Sequence, residues 1–200
     1  MAWGESGAWL AGETNDNLYQ QLLDDAEAAP ERNAERKKVV HPEEMPWEMS
    51  RQGLLKHLIN EGMNTRIETM DAYMQIVPPG SKSGKHRHLA VEVLYVIEGR
   101  GYDMHQDCDV EITDEYFWKP QDKVQKFEYE AGDVIYVPPN TIHQHFNADP
   151  ERPLRLISCI NRIFKQCGLN DLEQLEDAPE YEEGMVLTPD VIRGFLTTAR

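Results

Sequence analysis

The sequence predicts an all-β core, an antiparallel sandwich or small barrel, and three observations carry that expectation. From about Thr65, short apolar, β-branched or aromatic runs recur at 73–77, 91–97, 102–112, 126–130, 134–137, 142–146 and 154–160. Turn residues separate them, notably Pro78-Pro79-Gly80, Gly99-Arg100-Gly101, Ala131-Gly132-Asp133 and Pro138-Pro139-Asn140. No helical periodicity is interleaved, which argues against a parallel sheet with crossover helices.

The flanks read differently. Residues 1–63 form a helical, polar N-terminal extension. There Asn15 caps a first helix carrying Leu18, Tyr19, Leu22, Leu23 and Ala26 on one face, and Pro30 with the charged stretch 31–38 ends it. A second helix is expected from Ser50 to Gly62, with Leu54, Leu55, Leu58 and Ile59 as its apolar stripe. Both stripes read as packing faces, against the main domain or a sister subunit. Residues 64–165 are the barrel, and 166–200 are an acidic tail with short helices, the last after Pro189. The insert at 113–126, with Tyr116-Phe117-Trp118, reads as a loop able to act as a lid.

Composition removes several classes of function. Acidic residues outnumber basic ones by 36 to 20, a formal charge of −16 that repels nucleic acid and anionic membranes. The three cysteines, Cys108, Cys159 and Cys167, show no pairing or zinc-ribbon spacing, so no disulfide framework is expected. The N-terminus lacks a basic and apolar leader, and no apolar run approaches the roughly 20 residues that span a bilayer. A soluble, cytoplasmic protein is the expectation.

Two stretches carry the chemistry. The first places His86, His88 and Glu92 between Gly80 and Gly99; the second runs Gly132, Pro138, His143, Asn147. Strand side chains alternate faces, so His86 and His88 project together, and Glu92 keeps that parity if no bulge intervenes. Imidazole and carboxylate without thiolate suit Fe(II), Mn(II), Ni(II), Cu(II) or Zn(II). Four protein ligands leave a six-coordinate ion two positions for substrate, water or dioxygen. Arg87, between two ligands, should point away from the ion. Asn140 should tolerate a left-handed turn.

These stretches resemble the two motifs of the cupin superfamily, small antiparallel β-barrels of the jelly-roll type. The first motif matches at Gly80, His86, His88, Glu92 and Gly99, and the second at Gly132, Pro138, His143 and Asn147. Asn140 departs from the family's glycine, a substitution that this backbone conformation accepts. The resemblance implies a cupin-type barrel over about 65–165, one divalent metal per chain, and His86, His88, Glu92 and His143 as its ligands. Pro46-Trp47 and the strand Tyr73-Met74-Gln75-Ile76 further resemble gentisate-type aromatic dioxygenases, although those commonly bind iron through three histidines alone.

Beyond the ligands, His145 shares the parity of His143 and is the candidate proton carrier. Gln75, Tyr102 and Trp118 are the candidate substrate-binding residues, Gln75 as a polar side chain in an apolar strand. His41, His57 and His105 fall outside the pattern and read as structural. The favoured function is a non-haem Fe(II) dioxygenase acting on a small aromatic or enolic substrate. A redox-neutral lyase, decarboxylase or isomerase using Mn, Ni or Zn is the alternative, and a non-catalytic small-molecule-binding barrel is the third. The run 91–97 is apolar on both faces, so a homodimer is expected to cover its outer side.

Overall fold

The structure is a computed structural model and describes residues 17–65, 69–112, 116–169 and 172–196. Met1–Arg36 and Lys37–Arg200 are two compact units. In the first, helix α1 (Leu18–Glu35) begins after Asn17; the expected cap, Asn15, lies outside the described residues. The helix continues through Pro30 instead of ending there. A helix-interior proline forfeits one backbone hydrogen bond, and an exposed helix can leave the freed carbonyl to water. Leu18, Tyr19, Leu22 and Leu23 are exposed.

The second unit is built on two antiparallel sheets. One holds six strands: β1 (Trp47–Ser50), β2 (Gly53–Ile59), β3 (Met70–Val77), β5 (Glu92–Glu98), β8 (Val134–Val137) and β10 (Leu154–Asn161). Their order is β1-β2-β3-β10-β5-β8. The other holds β4 (Lys85–His88), β6 (Arg100–Ile112), β7 (Tyr116–Glu130), β9 (Ile142–Asn147) and β11 (Leu172–Glu176), ordered β11-β4-β9-β6-β7. Helices α2 (Ile163–Gln166) and α3 (Pro189–Leu196) follow β10 and β11 respectively.

The helix expected over 50–62 is instead a hairpin of β1 and β2, with β2 paired to β3. A spacing of four residues keeps Leu54 with Leu58 and Leu55 with Ile59 on one side of a regular strand as well as of a helix, although in β2 the register with β3 shifts between His57 and Ile59. Adjacent Leu54 and Leu55 then face opposite ways and are both buried. These strands extend the barrel's own sheet, so its N-terminal boundary precedes residue 63. The tail is likewise not only helical: β11 pairs with β4, the strand that carries His86 and His88. The expected lid is also a strand, since Phe117 and Trp118 face Glu111 and Val110 in the long β6–β7 hairpin.

The core lies between the sheets. Val77, Leu94, Val96, Ile135, Val137, Leu154 and Leu156 cluster there with Tyr129, each aliphatic side chain contributing about 1.5–3 kcal/mol on burial. Gly101 is required where β6 meets β9, because a Cβ there would stand 2.3 Å from the Phe146 carbonyl oxygen. Gly101→Ala should therefore destabilise the fold by about 1–3 kcal/mol, read as a lower urea midpoint at unchanged slope.

Candidate metal centre

His86, His88, Glu92 and His143 converge in the structure, but Glu92 does not join the histidines by alternation along one strand. Strand β4 ends at His88 and β5 begins at Glu92 in the other sheet, so the chain crosses between sheets within three residues. Glu92 thus faces the histidines across the interior rather than alongside them. His143 arrives from β9, directly paired with His86. All four side chains are buried, and one donor atom from each lies within 4.8 Å of the others.

Their hydrogen bonds fix how they present themselves. His88 Nδ1 lies 2.8 Å from the Ala90 carbonyl and His143 Nδ1 lies 2.9 Å from that of Thr141. A carbonyl only accepts, so each Nδ1 carries the proton and a neutral ring offers its Nε2 lone pair inward. Those Nε2 atoms stand 3.0 and 3.2 Å from Glu92 Oε2. A lone pair facing a carboxylate at that distance needs a cation between them. Donors about 2.1 Å from one ion sit about 3 Å apart when adjacent, which is the spacing found. His86 Nδ1 is buried with no hydrogen-bond partner, a further donor awaiting an acceptor. The residues fit a divalent cation.

Glu92 is held from behind as well. Tyr73 Oη donates to Glu92 Oε1 at 3.2 Å, and Ser158 Oγ makes a short hydrogen bond to the same oxygen. Burial alone would raise the Glu92 carboxyl, but in the metal-free chain protons taken up on the facing Nε2 atoms of His143 and His88 outweigh it through hydrogen bonds and charge and hold it well below the usual range. Burial drives His86 well below an ordinary imidazole, helped by the charges of His143 and His88. Burial also lowers His143, against the pull of Glu92. Both imidazoles are therefore neutral and ligand-ready at neutral pH.

A consequence follows for the metal-free protein. The unfolded chain binds protons at His86 and His143 near pH 6.5, whereas the folded chain resists them. Their contribution is present above that pH and lost as pH falls, by up to about 1.4 kcal/mol per pH unit for each proton taken up. Thermal melts of chelator-treated protein should fall in Tm between pH 7 and pH 5. A Tm rising over that interval would contradict the assignment.

Behind His143 lies a second buried cluster. His145 Nδ1 is 2.5 Å from Asp103 Oδ1, and its ring centroid is 5.7 Å from that of His143. His105 Nε2 is 3.2 Å from Asp103 Oδ2, and Tyr129 Oη donates to Oδ1 at 3.1 Å. Burial lowers His145, but the charge and hydrogen bond of Asp103 overcome it and the net shift is upward. Burial raises Asp103, yet its two histidines pull it far below an ordinary aspartate. Charged or neutral, His145 is oriented by a fixed carboxylate.

The structure does not bring the three proposed substrate residues to this centre. Tyr102 lies on the face of β6 opposite Asp103, stacked on Phe146 at 4.8 Å under Lys126. Trp118 lies under Arg87, whose Cζ is 3.5 Å from the ring centroid. Arg87 points away from the ligands, as its position between them requires, donating to Asn140 Oδ1 and pairing with Glu173. Alternation along a strand explains the placement of Tyr102, because the neighbour of an inward residue faces outward. Gln75 shares the side of β3 that carries Tyr73, but its amide donates to the Gln52 carbonyl at 2.8 Å and serves the sheet. Asn140 has a φ of 61°, the left-handed turn expected of it. Asn147 ties the chain by donating to the carbonyls of Val77, Pro78 and Arg152.

Sequence reasoning passed over Tyr73, Asp103, His105, Tyr129 and Ser158. Two signals were legible: Asp103-x-His105 repeats the alternation of His143-x-His145, and Ser158 interrupts an apolar run at an inward position.

Comparison with known proteins agrees with this geometry. Residues 73–160 match the family model described as a cupin domain. An uncharacterised protein of Methanocaldococcus jannaschii is 36% identical over 85 residues, covering 42% of this chain and 54% of that one. An auxin-binding protein of Nicotiana tabacum is 25% identical over 120 residues, 60% of each chain. The chain therefore matches only a little over half the length of these relatives. Among solved structures, the oxalate decarboxylase of Lactobacillus farciminis in complex with formate superimposes with a TM-score of 0.52 at 19% identity. That match covers 68% of this chain and 35% of the other, and it is a likeness of fold. The barrel built around these four ligands matches the cupin domain model over residues 73–160 and has the cupin fold.

Proposed function

We propose that this chain is a metal-dependent enzyme acting on a small molecule, in the form of an Fe(II) dioxygenase of an aromatic or enolic substrate. The observation that carries the proposal is the buried group of three imidazoles and one carboxylate, whose donor atoms converge without a thiolate. A bound divalent ion would supply Lewis-acid polarisation of a substrate oxygen and, as iron, the capacity to engage dioxygen. The chain's own residues do the rest. Tyr73 and Ser158 orient the Glu92 carboxylate. His145, aligned by Asp103, accepts the proton that an enol or phenol gives up and returns it to product. Burial of the whole group excludes bulk water.

A redox-neutral lyase, decarboxylase or isomerase is the second reading. It is favoured by the complete acid–base assembly of Asp103 with His145, His105 and Tyr129, which needs no oxidant. The deciding experiment loads metal-depleted protein anaerobically with Fe(II) or Mn(II) and follows oxygen uptake with catechols, gentisate-like acids and β-diketones. Iron-dependent uptake supports the dioxygenase. Anaerobic turnover supports the second reading, and binding without turnover contradicts both.

We also propose a homodimer with a second copy of the chain covering the outer face of β5 and the edge strand β8. Val93, Tyr95, Ile97, Val134 and Tyr136 are 40–64% exposed there, an apolar face at a sheet edge. Light scattering across a concentration series should give twice the chain mass, and a concentration-independent monomer would refute it. No described helix is long and apolar enough to cross a membrane.

A further inference from the structure

A cavity of about 570 Å³ opens between β7 and β8, the end strands of the two sheets. Its inner wall is His105, which is 4% exposed and held by Asp103. The His105 ring centroid lies 5.1 Å from that of Phe127 on the cavity side and 6.1 Å from that of His143 on the metal side. One side chain therefore separates the cavity from a metal ligand. Phe127, Tyr129, Ile135 and Pro138 supply apolar walls.

The polar lining has one sign. Asp107, Glu128 and Asp133 border the cavity, and no lysine or arginine does. Glu128 is paired with Lys126, 2.6 Å away, which lies outside the lining. Asp107 accepts from Thr141 Oγ1 and Asp133 from the Glu130 amide, and neither meets a cation among the described residues. Arg87, the cation nearest the ligands in sequence, is turned to the opposite side and tied to Asn140 and Glu173. A ligand carboxylate entering here would meet like charge on an apolar wall with no counter-ion. A planar ring lacking negative charge would meet aromatic faces and an oriented imidazole.

We propose that this cavity is a binding site for a planar aromatic ligand that is uncharged or cationic and carries no carboxylate. Phe127 packs on its ring, and His105 hydrogen-bonds its hydroxyl or amine substituent. The idea deepens the enzyme reading, on which it rests only for the nearness of the cavity to the metal group.

Binding is measured by isothermal titration and saturation-transfer NMR on the full chain, as purified and after metal depletion. The probes are catechol, tyramine and benzoate at neutral pH. Depletion removes any cation that could itself recruit a carboxylate. Catechol and tyramine should bind the depleted chain at least tenfold more tightly than benzoate. Phe127→Ala, at a half-exposed position, should weaken catechol roughly tenfold. Asp107→Asn, which retains an acceptor for Thr141, should leave catechol binding intact and narrow the gap to benzoate. Benzoate binding as tightly as catechol, indifference of catechol to Phe127→Ala, or no binding by any probe would overturn the proposal. Catechol binding to the depleted chain without oxygen uptake by the iron-loaded chain would leave this site standing while the dioxygenase reading fell.

Discussion

Glu92→Gln is expected to abolish stoichiometric metal binding while leaving the barrel folded. The substitution keeps the size of the side chain and its acceptor for Tyr73 and Ser158, but it removes the only anionic donor among the four ligands. Breaking a buried charge pair by removing one member costs about 3–5 kcal/mol. In a dissociation constant that is roughly 10²- to 4 × 10³-fold. Elemental analysis after identical purification and a titration of metal-depleted protein would read the loss directly. Tyr73→Phe offers a graded comparison. It spares every ligand and deletes one hydrogen bond that orients the carboxylate, an effect worth roughly tenfold in affinity. A Glu92→Gln protein that retains metal at parental stoichiometry would mean that the carboxylate is not a ligand.

Asp103→Ala should produce the largest loss of stability of any single substitution behind the site. Asp103 is fully buried and takes hydrogen bonds from His145, His105 and Tyr129. Removing it leaves three buried polar groups without their common acceptor, and any proton on His145 without its counter-charge. The cost expected is about 3–5 kcal/mol. At about 2–4 °C per kcal/mol for a chain of this size, Tm should fall by roughly 6–20 °C. Metal affinity should change much less, because His143 keeps its own hydrogen bond to Thr141. A melt within about 2 °C of the parent protein would show that the cluster is not the buried anchor described above.

How far the sequence reaches is clearest at particular residues. The four ligands were legible because their spacing is tied to glycines, prolines and Asn140 that the turns require. The reason Glu92 joins them was not legible, since the crossing from β4 to β5 is a tertiary event that parity along one strand does not encode. Strands β1 and β2 read as helix because Leu54, Leu55, Leu58 and Ile59 satisfy both periodicities, and only pairing with β3 decides. Tyr102 and Trp118 drew attention as aromatics beside the motifs, yet each faces outward, where Lys126 and Arg87 cover them. Asp103 and His105 were undervalued for the opposite reason, His105 being read as structural. They lie in a long hairpin strand, and their meaning appears only when β9 pairs with β6 and sets His145 opposite Asp103.

The most direct measurement is anomalous X-ray diffraction from crystals of protein purified without chelator, collected at the absorption edge of the metal found by elemental analysis. A single peak per chain is expected, about 2.0–2.2 Å from one nitrogen each of His86, His88 and His143 and from a Glu92 oxygen. No peak at that point, or one held by other residues, would contradict the assignment of the centre.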